Sequence, residues 1–339
     1  MNIAAYKIDL EKAIKKINQK KYKNIILQLP DGLKNYFNDI ADFLEEKTDA
    51  TLYIYSEPCF GACDIPVSKI KDINADLIIQ IGHLPINSIK NPKVPVLFLN
   101  ANSNLDIRKV IIKVIPRLNG KNIGILTTSQ HIDSLEKASK ILKENGFDVF
   151  IGKGDNRIYS EGQILGCNFS SARVIKDKVD SYLYIGSGNF HPLGLILSTN
   201  KTVIACDPYT NEIKEKELID LKDVILRQRY GAIARARDSE VFGIIISTKI
   251  GQKRLKLAEE IKEKIISKKK KAYFFFTDDL NSSNLENFRN VDCFVSTACP
   301  RIAIDDYMRY KTPILTAVEI DILLGFKKWD EYCFDEIKD

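Results

Sequence analysis

One pattern is written three times along this chain, and it constrains the fold more than any other feature. An apolar strand, a polar turn and an amphipathic helix open each copy: KNIILQLPDGLKNYFNDIADFLEEK from Lys23, KNIGILTTSQHIDSLEKASKILKENG from Lys121 and VFGIIISTKIGQKRLKLAEEIKEKIISK from Val241. A second strand follows in each (TLYIYS, DVFIGK, AYFFFT), then a third (DLIIQIG, SYLYIGSG, DCFVSTAC), then a fourth (PVLFLNA, TVIACDP, PILTAVE). The copies begin roughly a hundred residues apart, a common domain size. Short, continuously apolar strands alternating with helical segments predict parallel sheets with helices on both faces.

The expected fold is α/β: three similar domains over residues 1–104, 105–215 and 216–339, each a short, mainly parallel sheet flanked by helices, arranged around a central site. In the second copy Leu135, Ala138, Ile141 and Leu142 share one helical face, and Gly146 supplies the stop. In the third, Leu255, Leu257, Ala258, Ile261 and Ile265 form a similar stripe. The start, MNIAAYKIDLEKAIKK, has the spacing of an amphipathic helix. The run Lys268 to Lys271 is expected to close a helix, where cations oppose the negative end of the dipole.

At 339 residues the chain suits two or three cores rather than one. Its 45% apolar and 28% charged residues are ordinary for a soluble protein. The net charge of +6, from 51 basic against 45 acidic residues, is a mild excess that reads as a solvated lysine-rich surface more readily than as a patch for an acidic partner. The start lacks a signal-peptide pattern and the apolar runs are strand-length, so no transmembrane span and a cytoplasmic location are expected.

Seven cysteines in such a protein argue against a disulfide framework. Cys206 and Cys293 lie in or beside strands and read as small buried hydrophobes, and Cys333 falls near the end in a segment expected to be loosely held. Cys63 (EPCFGACD), Cys167 (GQILGCN) and Cys299 (STACPR) sit on loops, each following a strand of its own copy. Ligands of parallel sheets gather beyond the carboxyl ends of the strands. A single loop cysteine is more often structural than functional, but one at this edge in every copy favours a joint metal site. Zinc usually takes four ligands in paired spacings that this chain lacks, although Cys59 and Cys63 are close enough in sequence to chelate. An iron–sulfur cluster accepts thiolates from distant loops, and three ligands leave one iron open to a substrate.

The strings FGACD, QILGCN and STACPRIAIDD, in this order on a triplicated α/β chain, resemble the archaeal 2-(3-amino-3-carboxypropyl)histidine synthase family, which starts diphthamide biosynthesis. The similarity runs over nearly the whole chain. It implies that Cys63, Cys167 and Cys299 are the ligands of a 4Fe-4S cluster, with Cys63 preferred over the additional Cys59. It also implies a homodimer that uses S-adenosylmethionine as substrate and draws on an electron donor. In that chemistry the open iron engages the methionine part, and one electron from the reduced cluster breaks the bond to the methionine Cγ. The resulting 3-amino-3-carboxypropyl radical adds to C2 of a histidine imidazole on translation elongation factor 2. The closely spaced C-x-x-x-C-x-x-C triad of ordinary radical enzymes is absent, which fits the family.

Other positions at the same edges are candidates for contacts to the cofactor. Asp31 and Gly32 form a strand-to-helix turn after Pro30, where Asp31 reads as an N-cap or as a polar contact. Gly186, Ser187 and Gly188 allow close backbone approach. His83 and His191 occupy matching places after the third strand of their copies, and a structural role suits both. Arg301, Asp305 and Asp306 follow Cys299, where they either hold the amino-acid end of the cofactor or tune the cluster, or else form a surface ion pair. Arg227 to Asp238 carries four arginines on a predicted helix, facing solvent or a partner protein. Two rival readings stand beside the radical transferase. One is a quinolinate synthase-like iron–sulfur dehydratase, and the other is a tandem α/β ligand-binding protein with incidental thiols. Nucleic-acid binding is not expected.

Overall fold

The computed structural model describes residues 1–89 and 92–338. A short hairpin, β1 (Asn2–Ile3) and β2 (Tyr6–Ile8), opens the chain. The amphipathic reading of the start therefore holds only from Leu10, where helix Leu10–Lys20 begins behind the Asp9 cap. Residues 6–8 are drawn into a strand because β7 (Ala101–Ser103) pairs with them antiparallel.

Three four-strand cores follow. The first holds β3 (Asn24–Gln28), β4 (Thr51–Tyr55), β5 (Leu77–Ile81) and β6 (Val96–Leu99) in the order β4-β3-β5-β6. The second holds β8 (Asn122–Thr127), β9 (Asp148–Phe150), β10 (Ser181–Ile185) and β11 (Val203–Cys206), with β12 (Ile213–Lys214) added antiparallel at its edge, in the order β12-β11-β10-β8-β9. The third holds β13 (Val241–Ser247), β14 (Lys271–Thr277), β15 (Cys293–Ser296) and β16 (Ile314–Thr316) in the order β14-β13-β15-β16. Within each set of four, all pairings are parallel. Each copy thus has its second strand outermost, then its first, third and fourth. The strand order reverses beside the first strand, which puts a ligand crevice at that end of every sheet.

The cores explain the pattern. Leu135, Ala138, Ile141 and Leu142 are buried against the second sheet, and Gly146 ends their helix with a φ of +86°. Ala258, Ile261 and Ile265 do the same for the third sheet, but Leu255, the first residue of helix Leu255–Ser267, is 37% exposed. That helix stops at Ser267, Lys269 turns left-handed, and Lys271 already belongs to β14, so only Lys268 caps the helix as expected. One face of the first sheet is covered by helices Leu10–Lys20 and Phe37–Glu45. The other is covered by Ile65, Val67 and Ile70, so the turn after β4 folds back over its own sheet.

The units interlock. Helix Lys216–Arg235 packs Leu218 into the second core and Ala232 and Ile233 into the third. Ile304 and Phe334, from the third copy, are buried in the second core. The segment around Cys333 is therefore not loose: Cys333 itself is exposed, but Phe334, Asp335 and Ile337 are buried. Among the described residues no helix is long and apolar enough to cross a membrane.

Candidate metal centre

The turn that carries Cys63 is fixed from below by two buried glutamines. Gln28, at the end of β3, donates to the Asp64 carbonyl at 2.7 Å. Gln80, on β5, donates to the Gln28 amide oxygen at 2.8 Å and to the Gly61 carbonyl at 3.3 Å. From above, the loop after β13 closes over the turn. The buried Lys249 ammonium lies 2.9 Å from Asp64, 2.6 Å from Asp279 and 4.7 Å from the centre of the Phe60 ring. The Gly251 amide donates to the Cys63 carbonyl at 3.1 Å. A Cβ on Gly251 would lie 2.5 Å from Cα and Cβ of Cys63, so this close approach requires glycine. Gln252 donates to the Cys63 sulfur at 3.3 Å.

Cys167 lies in a tight turn in which Leu165 and Asn168 exchange backbone hydrogen bonds. Its carbonyl accepts from the Ile337 amide at 2.8 Å, and the Asn168 side chain donates to the Ile337 carbonyl at 3.1 Å. Arg157, from the long loop after β9, hydrogen-bonds the Cys167 thiol and donates to the Gly251 carbonyl at 3.0 Å. Cys299 caps the short helix Pro300–Ile304 just beyond β15. The two residues before it are held by Arg254, which donates to the carbonyls of Thr297 at 2.7 Å and Ala298 at 3.0 Å.

The three thiols share one electrostatic field. Burial pushes all of them up, Cys167 to about 12. Cys299 is raised further by Cys167 and Cys63, and Cys167 by Cys63. Arg157 opposes this at Cys63 and Cys167, and Arg254 opposes it at Cys167. Thiols of this kind stay protonated until a metal displaces the proton. Three soft sulfurs fit an iron–sulfur cluster better than a hard cation. Cys59 is buried and coupled to Cys63 in the same way, but its sulfur accepts from Gln80 at 3.7 Å, on the sheet side of the turn. Cys206 and Cys293 are fully buried in β11 and β15, as expected of small hydrophobes.

A family model described as "Putative diphthamide synthesis protein" matches residues 29–333. The chain belongs to the diphthamide synthesis family. It is 38% identical to the 2-(3-amino-3-carboxypropyl)histidine synthase of Pyrococcus horikoshii, over 98% of this chain and 93% of that protein. It is 30% identical to the synthase of that name from Methanocaldococcus jannaschii, over 98% and 94%. Subunit 1 of the Caenorhabditis elegans enzyme is also 30% identical, over 94% and 80%. The crystal structure of Dph2 from Pyrococcus horikoshii with a 4Fe-4S cluster superposes with a TM-score of 0.89 at 35% identity, covering 98% of this chain and 94% of that one.

The remaining candidate positions in this diphthamide-family chain fall into two groups. Arg301 ion-pairs with Asp305 at 2.6 Å and lies 4.0 Å over the Phe190 ring, so the helix after Cys299 meets the loop after β10. That loop carries Gly186 (φ +152°), Ser187 and Gly188 (φ +75°) and leads into helix Phe190–Thr199, where the His191 ring stacks on Tyr184 at 6.1 Å. Burial, then the Arg301 charge, lowers the His191 pKa to about 4. Asp31 and Gly32 lie instead beside the Cys63 turn, with Asp31 paired to Lys34 at 2.7 Å and Lys34 donating to the carbonyls of Ser56 and Glu57. Asp31 is not an N-cap: it is the first residue of the helical turn, and its side chain bonds Lys34 rather than the backbone. His83 is also neutral, its pKa lowered to about 4 by burial. Of the four arginines in Arg227 to Asp238, Arg229 faces neither solvent nor a partner but pairs with Glu319 in the core.

Sequence reasoning missed Gln28, Gln80, Arg157, Lys249, Gly251, Gln252 and Arg254. Only the glutamines left a local signal, each a polar residue late in an otherwise apolar parallel strand (NIILQ, LIIQI).

Proposed function

We propose that this chain is a 2-(3-amino-3-carboxypropyl)histidine synthase that transfers the 3-amino-3-carboxypropyl group of S-adenosylmethionine to C2 of a histidine on translation elongation factor 2. Cys63, Cys167 and Cys299 would hold the 4Fe-4S cluster, one from each unit of the reading 1–104, 105–215 and 216–339. The observation that carries this is the hydrogen-bond network that joins the three cysteine turns, remote in the chain: Gly251 to the Cys63 carbonyl, Arg157 to Gly251 and to the Cys167 thiol, and Arg254 to Ala298 beside Cys299. It is joined to full-length similarity with synthases of that name.

When bound, the cluster supplies one electron to the sulfonium, so that the bond to the methionine Cγ breaks and leaves methylthioadenosine. The protein's own part is positional. Gln252 and Arg157 donate to two of the sulfurs and favour the thiolate form. The buried Lys249–Asp64 pair fixes the Cys63 turn from the third unit. Arg301 offers a guanidinium to the carboxylate of the amino-acid end, with Asp305 setting its direction and Gly186 to Gly188 and His191 lining the same side. Asp31 and Gly32, beside the Cys63 turn, would contact the cofactor from the first sheet. The reading includes a homodimer, a cytoplasmic location and an external electron donor.

Anaerobically reconstituted and reduced protein, mixed with S-adenosylmethionine and elongation factor 2, should release methylthioadenosine and add one aminocarboxypropyl mass to one histidine. Quinolinate formation instead, or no adduct with the cluster verified, contradicts the reading.

A further inference from the structure

We propose that the Arg254–Asp335 ion pair fixes the separation of Cys167 from Cys299, which makes Arg254 a positioning residue for the three-thiol centre. The inference rests on reading those cysteines as cluster ligands.

A guanidinium is a planar fork of five donors, so it can hold several acceptors in one fixed arrangement. Arg254 makes four hydrogen bonds with this fork. On one side it grips the carbonyls of Thr297 and Ala298, the two residues before Cys299, at 2.7 and 3.0 Å. On the other it forms a bidentate pair with Asp335, both bonds at 2.8 Å. Both side chains are nearly buried, with 11% and 5% exposed.

Asp335 begins a strap across the Cys167 turn. Glu336 accepts from the Phe169 amide at 2.7 Å and ion-pairs with Arg173. The Ile337 amide donates to the Cys167 carbonyl at 2.8 Å, and Asn168 returns a bond to the Ile337 carbonyl at 3.1 Å. Phe334 anchors the strap in the second core, edge-on to Phe169 at 5.5 Å. A continuous path therefore runs from Cys299 through Ala298, Arg254, Asp335 and Ile337 to Cys167. The Arg254 charge also couples to Cys167 and to Cys299.

Metal–ligand distances tolerate errors of only about 0.2 Å, so two ligands on separate units need a fixed spacing. A lysine at position 254 keeps the charge but not the fork. Asp335→Asn keeps the shape but loses the charge and one acceptor.

The test uses the full chain, reconstituted anaerobically with iron and sulfide, and measures iron per chain, the rate of iron release to a chelator, and urea unfolding of the iron-free protein. Asp335→Asn and Arg254→Lys should still unfold cooperatively, yet release iron roughly 10–100-fold faster, the usual loss when a residue supporting a metal ligand is changed. Lys264→Met breaks another ion pair, Lys264–Asp321 at 2.7 Å on an outer helix, and should release iron at the wild-type rate. Should Asp335→Asn fail to fold, Arg254→Lys decides. Wild-type release rates in the folded variants overturn the proposal. Failure of the wild type itself to take up iron instead overturns the ligand reading on which it rests.

Discussion

The amide of Gly251 donates to the carbonyl of Cys63 at 3.1 Å, joining the first loop of the third sheet to the cysteine turn of the first. Space for a side chain at 251 is absent, because the atoms in the way are Cα and Cβ of Cys63 themselves. Gly251→Ala should therefore displace the turn, at a cost of about 1–3 kcal/mol for overpacking. The same variant should bind less iron after reconstitution. Urea unfolding and iron analysis together check this, and a variant matching wild type in both contradicts it.

Arg229 and Glu319 form a second relationship of this kind, wholly inside the protein, with bonds of 2.7 and 2.6 Å. Glu319 also accepts from the Thr316 amide at 2.8 Å and so caps helix Ala317–Leu323. Arg229→Met strands a buried carboxylate, which should destabilise the fold by about 3–5 kcal/mol. A loss below about 1 kcal/mol in urea unfolding at neutral pH, the range of a surface ion pair, would show that the pair is not buried in solution.

His131 is 2% exposed and packs edge-on to Tyr209 at 5.5 Å. Burial lowers its pKa from 6.5 to about 4, against a smaller upward pull from Asp207. Between these values the unfolded chain binds the proton more readily than the folded one. This contribution is thus fully present above about pH 6.5, declines as pH falls towards 4, and levels off below. A shift of this size corresponds to about 3 kcal/mol. His131→Phe keeps a ring against Tyr209 and should flatten the fall in urea midpoint across that window. An unchanged slope contradicts the assignment.

The threefold pattern made the sheets legible because parallel strands buried on both faces are apolar throughout, and the turns between them are punctuated by glycine and proline. It also put Cys63, Cys167 and Cys299 at corresponding edges. The grip on those cysteines was not legible, since it joins residues far apart in sequence: 189 positions for Gln252 and Cys63, and 81 for Arg254 and Asp335. No local period encodes such contacts. The opening residues misled for the same reason. Their strand pairing depends on β7, about ninety residues on, and tertiary pairing overrides local helical spacing. Cys333 was read from its position near the end rather than from Phe334 beside it, whose burial in the second core holds the strap.

The central claim is that three remote cysteines hold one cluster, and the most direct measurement is iron and sulfide per chain after anaerobic reconstitution of single-alanine variants. The account predicts that Cys63→Ala, Cys167→Ala and Cys299→Ala each lose the cluster, while Cys59→Ala and Cys206→Ala retain it. A Cys167→Ala chain with wild-type iron, or a Cys59→Ala chain without any, would contradict it.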